Sequence, residues 1–183
     1  MLHEQIKNIF NNKPLRKYGW RKWPDCGDEM IAEINELNPS LVLDLGCGNN
    51  IFKGHINNLI GVDILDNNKQ DINAPIEDLP FDDNSVDIAL AFGSINFGND
   101  KLIDKQLKET IRVCKPDARI YFRGIQNTAT PWYEWTIQKV LEKTIKHNLN
   151  YIEMPRLIYR RQQSRYLPNR SMSRIFCVWS VKK

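Results

Sequence analysis

Two aspartates and two glycines, Asp44, Gly46, Gly48 and Asp63, are the residues whose types and spacing most directly suggest chemistry. The glycines lack the Cβ that would keep a ligand off the backbone, and they follow an apolar run, Leu41 to Leu45, interrupted only by Asp44. A second apolar run, Leu59 to Ile64, carries Asp63 near its carboxyl end. Open α/β sheets bind ligands just outside the carboxyl ends of their strands, where a carboxylate can accept hydrogen bonds from both hydroxyls of a ribose. Such bonds to a charged acceptor are worth roughly 1.5–3 kcal/mol each. Residues 41 to 64 therefore read as two buried strands and a glycine turn, half of a nucleotide-binding fold.

The same residues discriminate between nucleotides. A dinucleotide fingerprint, G-x-G-x-x-G, needs a third glycine for helix packing, whereas Gly48 is followed by Asn49, Asn50 and Ile51. Asp44 would repel a pyrophosphate but suits the ammonium and sulfonium of S-adenosylmethionine. The missing third glycine likewise speaks against a nicotinamide-dependent oxidoreductase. Downstream of DLGCG at 44–48 come GVDI at 61–64, DI at 71–72, LPFDDNSVDIAL at 79–90 and ETIRVCKPDARIYF at 109–122. In this order and spacing, over about residues 41 to 125, the chain resembles the class I S-adenosylmethionine-dependent methyltransferases, in particular the small, type-11-like domains. The bland alternative is that each segment is an ordinary strand with an ordinary turn.

The resemblance implies a Rossmann-like, doubly wound α/β fold with a mostly parallel seven-stranded sheet whose last strand is antiparallel. It also implies S-adenosylmethionine as cofactor and methyl transfer as the activity. Asp44, Gly46, Gly48 and Asp63 would then contact the cofactor, with Cys47 contributing its backbone and Ile64 lying beside Asp63. Asp71 would accept a hydrogen bond from the adenine amino group, and the backbone of Ile72 would meet the ring edge. Phe92 to Phe97 should line the cleft between cofactor and acceptor, with Phe92 and Gly93 on the cofactor side and Ser94 and Asn96 as acceptor candidates; Phe92 and Asn96 read equally as core and turn residues. An N/D-P-P-Y/F motif is missing there, which speaks against amino methylation of DNA bases, and no Pro-Cys nucleophile supports cytosine-C5 chemistry. Lys115-Pro116-Asp117-Ala118 stands where the family favours K-P-G-G, so a non-catalytic cofactor-binding subunit is a second reading.

These residues need elements to hold them. Apolar positions at Met30, Ile31, Ile34 and Leu37 predict a helix over Asp25 to Leu37. Strands are predicted at Val86 to Phe92 and Arg119 to Phe122, a helix from Leu102 to Val113, and a long helix through Trp132 to Leu149. Two further strands, Tyr151 to Tyr159 and Arg174 to Val181, flank an arginine-rich loop. Only six residues separate Ile64 from Asp71, too few for a helical crossover, which needs at least about ten. The Gly48 to Leu59 connection is similarly short, so one face of the sheet looks thinly covered. The N-terminal segment or a second copy of the chain, as a homodimer, is expected to shield it.

Composition bounds the rest. A chain of 183 residues, 42% hydrophobic, suits a single domain over residues 25–183, preceded by a basic, aromatic arm over residues 1–24. That arm, with Lys17, Tyr18, Trp20, Arg21 and Trp23, reads as a lid, or as an anchor on the core; Trp20 is its substrate-contact candidate. The first 24 residues carry a net charge of +5 and residues 155–183 one of +8, while residues 25–154 carry −9. If both basic ends lie near the cleft, an anionic methyl acceptor, small molecule or nucleic acid, is favoured, with Arg160 and Arg161 as contacts. Four scattered cysteines and three isolated histidines offer no metal-ligand spacing, no general base is legible, and without a signal or membrane segment a cytoplasmic protein is expected.

Overall fold

The apolar runs at Val42–Leu45 (β1) and Leu59–Asp63 (β2) lie side by side as parallel strands, Val42 opposite Leu59 and Leu45 opposite Val62. In the computed structural model, which describes residues 2–11, 27–65, 69–126, 131–159 and 173–183, they are the third and second strands from one edge of a seven-stranded sheet. The other strands are Ile72–Asn73 (β3), Val86–Phe92 (β4), Cys114–Ile125 (β5), Leu149–Tyr159 (β6) and Ser173–Val181 (β7), arranged in the order β3-β2-β1-β4-β5-β7-β6. The first five strands are mutually parallel, and β7 pairs antiparallel with both β5 and β6. The expected fold class is therefore the observed one. Among the described residues no helix is long and apolar enough to cross a membrane.

Side chains alternate between two cores, one on each face of the sheet. Ile103, Leu107 and Val113 of the helix Asp100–Val113 (α3), and Val140 of the helix Ile137–Lys146 (α4), join Leu43, Ala89, Ile120, Phe122 and Trp179 on one face. On the other, Met30, Ile31 and Ile34 of the helix Asp28–Glu36 (α2) meet Val42, Ile88, Leu90 and Tyr121. Coverage on both faces explains why β1 is buried at every residue and is apolar except for Asp44. As expected, the described residues linking β2 to β3 contain no helix, and the β1 to β2 connection, with room for about two helical turns, is built of turns instead. Phe52 and Ile56, set in the turns between β1 and β2, help fill the α2 face instead. The N-terminal helix Leu2–Asn11 (α1) does not cover that face: Phe10 packs on Phe97 and Trp132, beyond the carboxyl end of β4.

Two boundaries differ from the sequence reading. The helix expected from Trp132 begins only at Ile137, because Thr136 caps it by accepting from the Lys139 N–H, and the preceding residues are engaged elsewhere. Trp132 bridges to Phe97, the Trp135 backbone N–H donates to the Ile125 carbonyl, and its indole N–H donates to the Ile95 carbonyl at 2.7 Å. The fifth strand is longer than expected because its register shifts against β4 between Val86 and Ile88. Asp117, where the family favours glycine, has a φ of +62°, a conformation that aspartate tolerates better than most residues.

One ion cluster fastens α3 to α4. Asp104 accepts from Lys143 at 2.8 Å, Lys146 at 2.6 Å and His147 at 2.9 Å, and the Lys143 side chain is 5% exposed. Burial alone would raise the pKa of Asp104, but these three partners together hold it far below the usual carboxylate range. Asp104→Asn should destabilise the protein by about 2–3 kcal/mol, somewhat less than a fully broken buried pair because Asp100 still faces Lys143. Since the shift is downward, the wild-type advantage should be complete at neutral pH and fade as pH falls below the ordinary value of 3.8. Urea denaturation of both proteins at pH 7 and pH 3 checks this, and equal stability at pH 7 would contradict it.

Candidate active site

The glycine turn is held by the strand next to it. Gly46 and Cys47 both donate their backbone N–H to the Val62 carbonyl, at 2.7 and 3.1 Å, and Gly48 donates to Asp63 Oδ2 at 2.7 Å. The other carboxylate oxygen of Asp63 accepts from Leu65 N–H at 2.9 Å. Asp63 thus ties the turn after β1 to the turn after β2, and each oxygen keeps a further lone pair for a ligand. Gly46 and Gly48 have φ of +66° and +54°, and a Cβ on Gly46 would collide with that of Ser94. A Cβ on Gly48 would meet no protein atom within 4 Å, so its absence keeps open space rather than relieving a clash.

Asp44 is buried just before this turn, 4% exposed. Burial, with the Asp63 carboxylate nearby, pushes its carboxyl up to about 8, against a smaller opposing pull from Arg123. It is therefore largely protonated at neutral pH until a cation arrives. Burial and the carboxylates of Asp44, Asp63 and Asp71 also push the Cys47 thiol well above its ordinary range, so Cys47 is no nucleophile.

A cleft of about 250 Å³ opens over these strand ends. Gly46, Gly48, Asp63, Ile64, Phe92, Gly93 and Ser94 line it, so the structure brings together seven residues singled out from the sequence. Phe92 is fixed between Phe52, at 5.8 Å between ring centroids, and the Arg123 guanidinium, 5.0 Å from its ring centre. Asp71 and Ile72 do not line the cleft. The Asp71 carboxylate accepts from Gly61 N–H at 2.8 Å, Lys53 Nζ at 2.9 Å and Asn50 Nδ2 at 3.2 Å, which outweigh the burial that would raise it and hold it below its ordinary range. Asp71 supports the short β1–β2 connection instead. Asn96 also turns inward: it is fully buried, and its Oδ1 accepts from Ile125 N–H at 2.8 Å, which makes it a clasp between the turn after β4 and β5. Trp20, Arg160 and Arg161 lie outside the described residues.

Several lining residues were not singled out from the sequence. Ala74, Pro75, Ile76 and Glu77 form the wall after β3, Gln106 enters from α3, and His3, Ile6 and Phe10 come from α1. His3 Nε2 lies 2.7 Å from Glu77 Oε1. The spacing of His3, Ile6 and Phe10 puts all three on one helical face, a signal the sequence carried; no local pattern pairs Glu77 with Gln106.

Residues 43–122 match the family model described as a methyltransferase domain. That match and the fold support the resemblance to the class I S-adenosylmethionine-dependent methyltransferases. The chain is similar in structure to the Burkholderia thailandensis 1,6-didemethyltoxoflavin-N1-methyltransferase, solved with 1,6-didemethyltoxoflavin and S-adenosylhomocysteine. The TM-score is 0.72 at 14% identity, over 100% of this chain and 88% of that one. The N-methyltransferase NodS from Bradyrhizobium japonicum, solved with S-adenosylhomocysteine, gives a TM-score of 0.65 at 12% identity over 100% of both chains. The [4+2]-cyclase SpnF gives 0.63 at 14% identity, over 93% of this chain and 85% of that one. At such identities the likeness is one of fold, and the presence of a cyclase among these structures means that the fold does not by itself fix the reaction. No curated protein matches the sequence.

The raised carboxyl of Asp44 has a measurable consequence. An unfolded chain ionises Asp44 near 3.8 and the folded one near 8, so this group makes the ligand-free protein less stable as pH rises between those values. Asp44→Asn removes that titration and should raise stability at pH 8 by at least about 1 kcal/mol, with a flatter pH profile. Thermal melts from pH 5 to 8 check this, and parallel profiles for the two proteins would contradict it.

Proposed function

We propose that this chain binds S-adenosylmethionine in the cleft and transfers its methyl group to an acceptor that enters beside Ser94 and Phe97. The observation that carries the reading is the Asp63 carboxylate, held by Gly48 N–H and Leu65 N–H at the mouth of an open space that Gly48 leaves free. In this reading Asp63 accepts from the ribose hydroxyls, and Ile64 packs on the nucleoside. Gly46, Cys47 and Gly48 let the methionine portion approach the backbone, and Asp44 ionises to face its ammonium. When bound, the cofactor supplies a methyl group already activated on a sulfonium. The chain's task is then to align the acceptor atom, exclude water and, for a protonated acceptor, provide a path for its proton.

Alignment and exclusion of water fall to the residues at the open side. Ile6 and Phe10 of α1 face the cleft, and Phe97 stacks on Trp132 with ring centroids 4.4 Å apart. Ser94 Oγ is buried without a partner among the described residues, a hydroxyl free to meet the acceptor or the cofactor. We read α1 as a lid over the cleft; the rest of the basic, aromatic arm up to residue 24 lies outside the described residues. The net charges of +5 and +8 at the two ends of the chain favour an anionic acceptor, and we assign the protein to the cytoplasm.

Asp63→Asn keeps one carbonyl acceptor but removes the charge, and it should weaken S-adenosylhomocysteine binding by at least about tenfold while leaving a cooperative melt. Calorimetric titration of the two proteins measures this. An unchanged affinity would sink the ribose assignment.

A further inference from the structure

We propose that the outer face of α3 is a docking surface for nucleic acid, with Lys101, Lys105 and Lys108 as its phosphate contacts. This goes beyond the cofactor reading and does not depend on it, because these side chains lie on the solvent side of α3 and form no part of the cleft. The helical period sets them in line. Positions 101, 105 and 108 are about one turn apart, so the three ammonium groups share one stripe, while Ile103, Leu107 and Thr110 occupy the buried side. All three lysines are exposed, and none has a hydrogen bond or ion pair among the described residues.

The rest of the fold treats its cations differently. Lys53, Arg112, Lys115, Arg119, Lys143 and Arg156 each hold a carboxylate. The acids of α3 are engaged as well: Asp100 accepts from Tyr133 at 2.7 Å, Asp104 from Lys143 at 2.8 Å, and Glu109 from Arg112 at 2.7 Å and from Leu79 N–H at 2.9 Å. Lys105 acts on Glu109 only through its field. The stripe is therefore left positive. Like charges one turn apart work slightly against a helix, so the arrangement has a cost and no folding contact in return.

The chemistry of the face selects the partner. Among the described residues, none of the exposed large hydrophobic side chains lies on α3. The face thus has neither the apolar anchors of a protein interface nor the apolar side that an interfacial helix buries in a membrane. Point charges without anchors suit a phosphodiester backbone, which carries one charge about every 3.4 Å per strand and is held without regard to sequence. The lysines follow one another at about 6 and 4.5 Å along the helix axis, within reach of successive phosphates. The stripe also starts beside the cleft. Lys101 stands in the first turn of α3, just after the cleft-lining Phe97. Leu2 and Leu102 both crowd the missing Cβ of Gly98, so α1, part of a segment with net charge +5 over residues 1–24, adjoins the same end of α3.

Fluorescence anisotropy of labelled oligouridylate and oligothymidylate, titrated with the full chain at several salt concentrations, tests this. Wild-type protein should bind at least one of the two, with affinity falling linearly in log–log form as salt rises; which one it prefers tells RNA from DNA. The variant Lys101→Gln/Lys105→Gln/Lys108→Gln should bind at least about tenfold more weakly at low salt, with a salt slope shallower by about 2, close to 0.7 for each lost contact. A control with Leu37→Glu, Ile152→Glu and Met154→Glu lowers the net charge by the same amount at exposed positions elsewhere and should stay within about threefold of wild type. Both variants should keep the wild-type melt and S-adenosylhomocysteine affinity, so the cofactor reading stands or falls separately. If the lysine variant does not fold, mass spectrometry of acetylated wild-type protein replaces it: bound oligonucleotide should protect these three lysines. Absence of binding by wild type, equal losses in the lysine variant and the control, or acetylation unaffected by the oligonucleotide would overturn the proposal. Polyglutamate binding as tightly as either oligonucleotide would overturn it too, in favour of an acidic protein partner.

Discussion

Asp63 joins two turns that would otherwise be independent. Its two oxygens accept from Gly48 and Leu65, 2.7 and 2.9 Å away, so the loop after β1 is fastened to the loop after β2. The register beneath them is set by the strands, where Asp44 lies opposite Gly61 and Leu45 opposite Val62. Gly61 in turn has no side chain because Asn50 fills the space, a Cβ there lying 2.6 Å from its Oδ1. Asn50 and Lys53 reach Asp71, which binds Gly61 N–H. The missing crossover helices are thus replaced by a polar network that holds β1, β2 and the start of β3 in place. The cleft depends on that network as much as on the apolar cores.

Charge is placed unfavourably at the same site. Asp44 and Asp63 are both nearly buried, and the proximity and burial that raise the Asp44 carboxyl to about 8 destabilise the ligand-free fold. Such a cost at a strand end is what a site prepared for a cation would carry, since a bound ammonium would restore the ionised state. The opposite arrangement appears away from the cleft, where Asp104 is surrounded by Lys143, Lys146 and His147 and contributes to stability. One carboxylate is a fastening and the other, in the proposed function, a preparation for binding.

The central strands were legible because each is a short apolar run ended by glycine or aspartate, and burial on both faces leaves little else that such runs can form. Gly46, Gly48 and Asp63 were legible for the same reason: their local sequence determines both conformation and exposure. Asp71 and Asn96 were misread because their roles depend on partners 10 to 29 residues away, Gly61 and Ile125, which no local pattern announces. Trp132 to Trp135 carry helical spacing, yet tertiary bonds to Ile95 and Ile125 outcompete the helix. Gln106 looked like an ordinary polar residue on an amphipathic helix. Only the packing of α3 beside Glu77 reveals it as buried and half-satisfied.

The account stands on the cleft being shaped for an adenosyl amino acid rather than for a dinucleotide. Calorimetric titration of the full chain with S-adenosylhomocysteine and with NAD tests that directly. Binding of S-adenosylhomocysteine in the micromolar range, on the order of −8 kcal/mol, without binding of NAD is the predicted result. Binding of NAD in preference, or of neither compound, would contradict it.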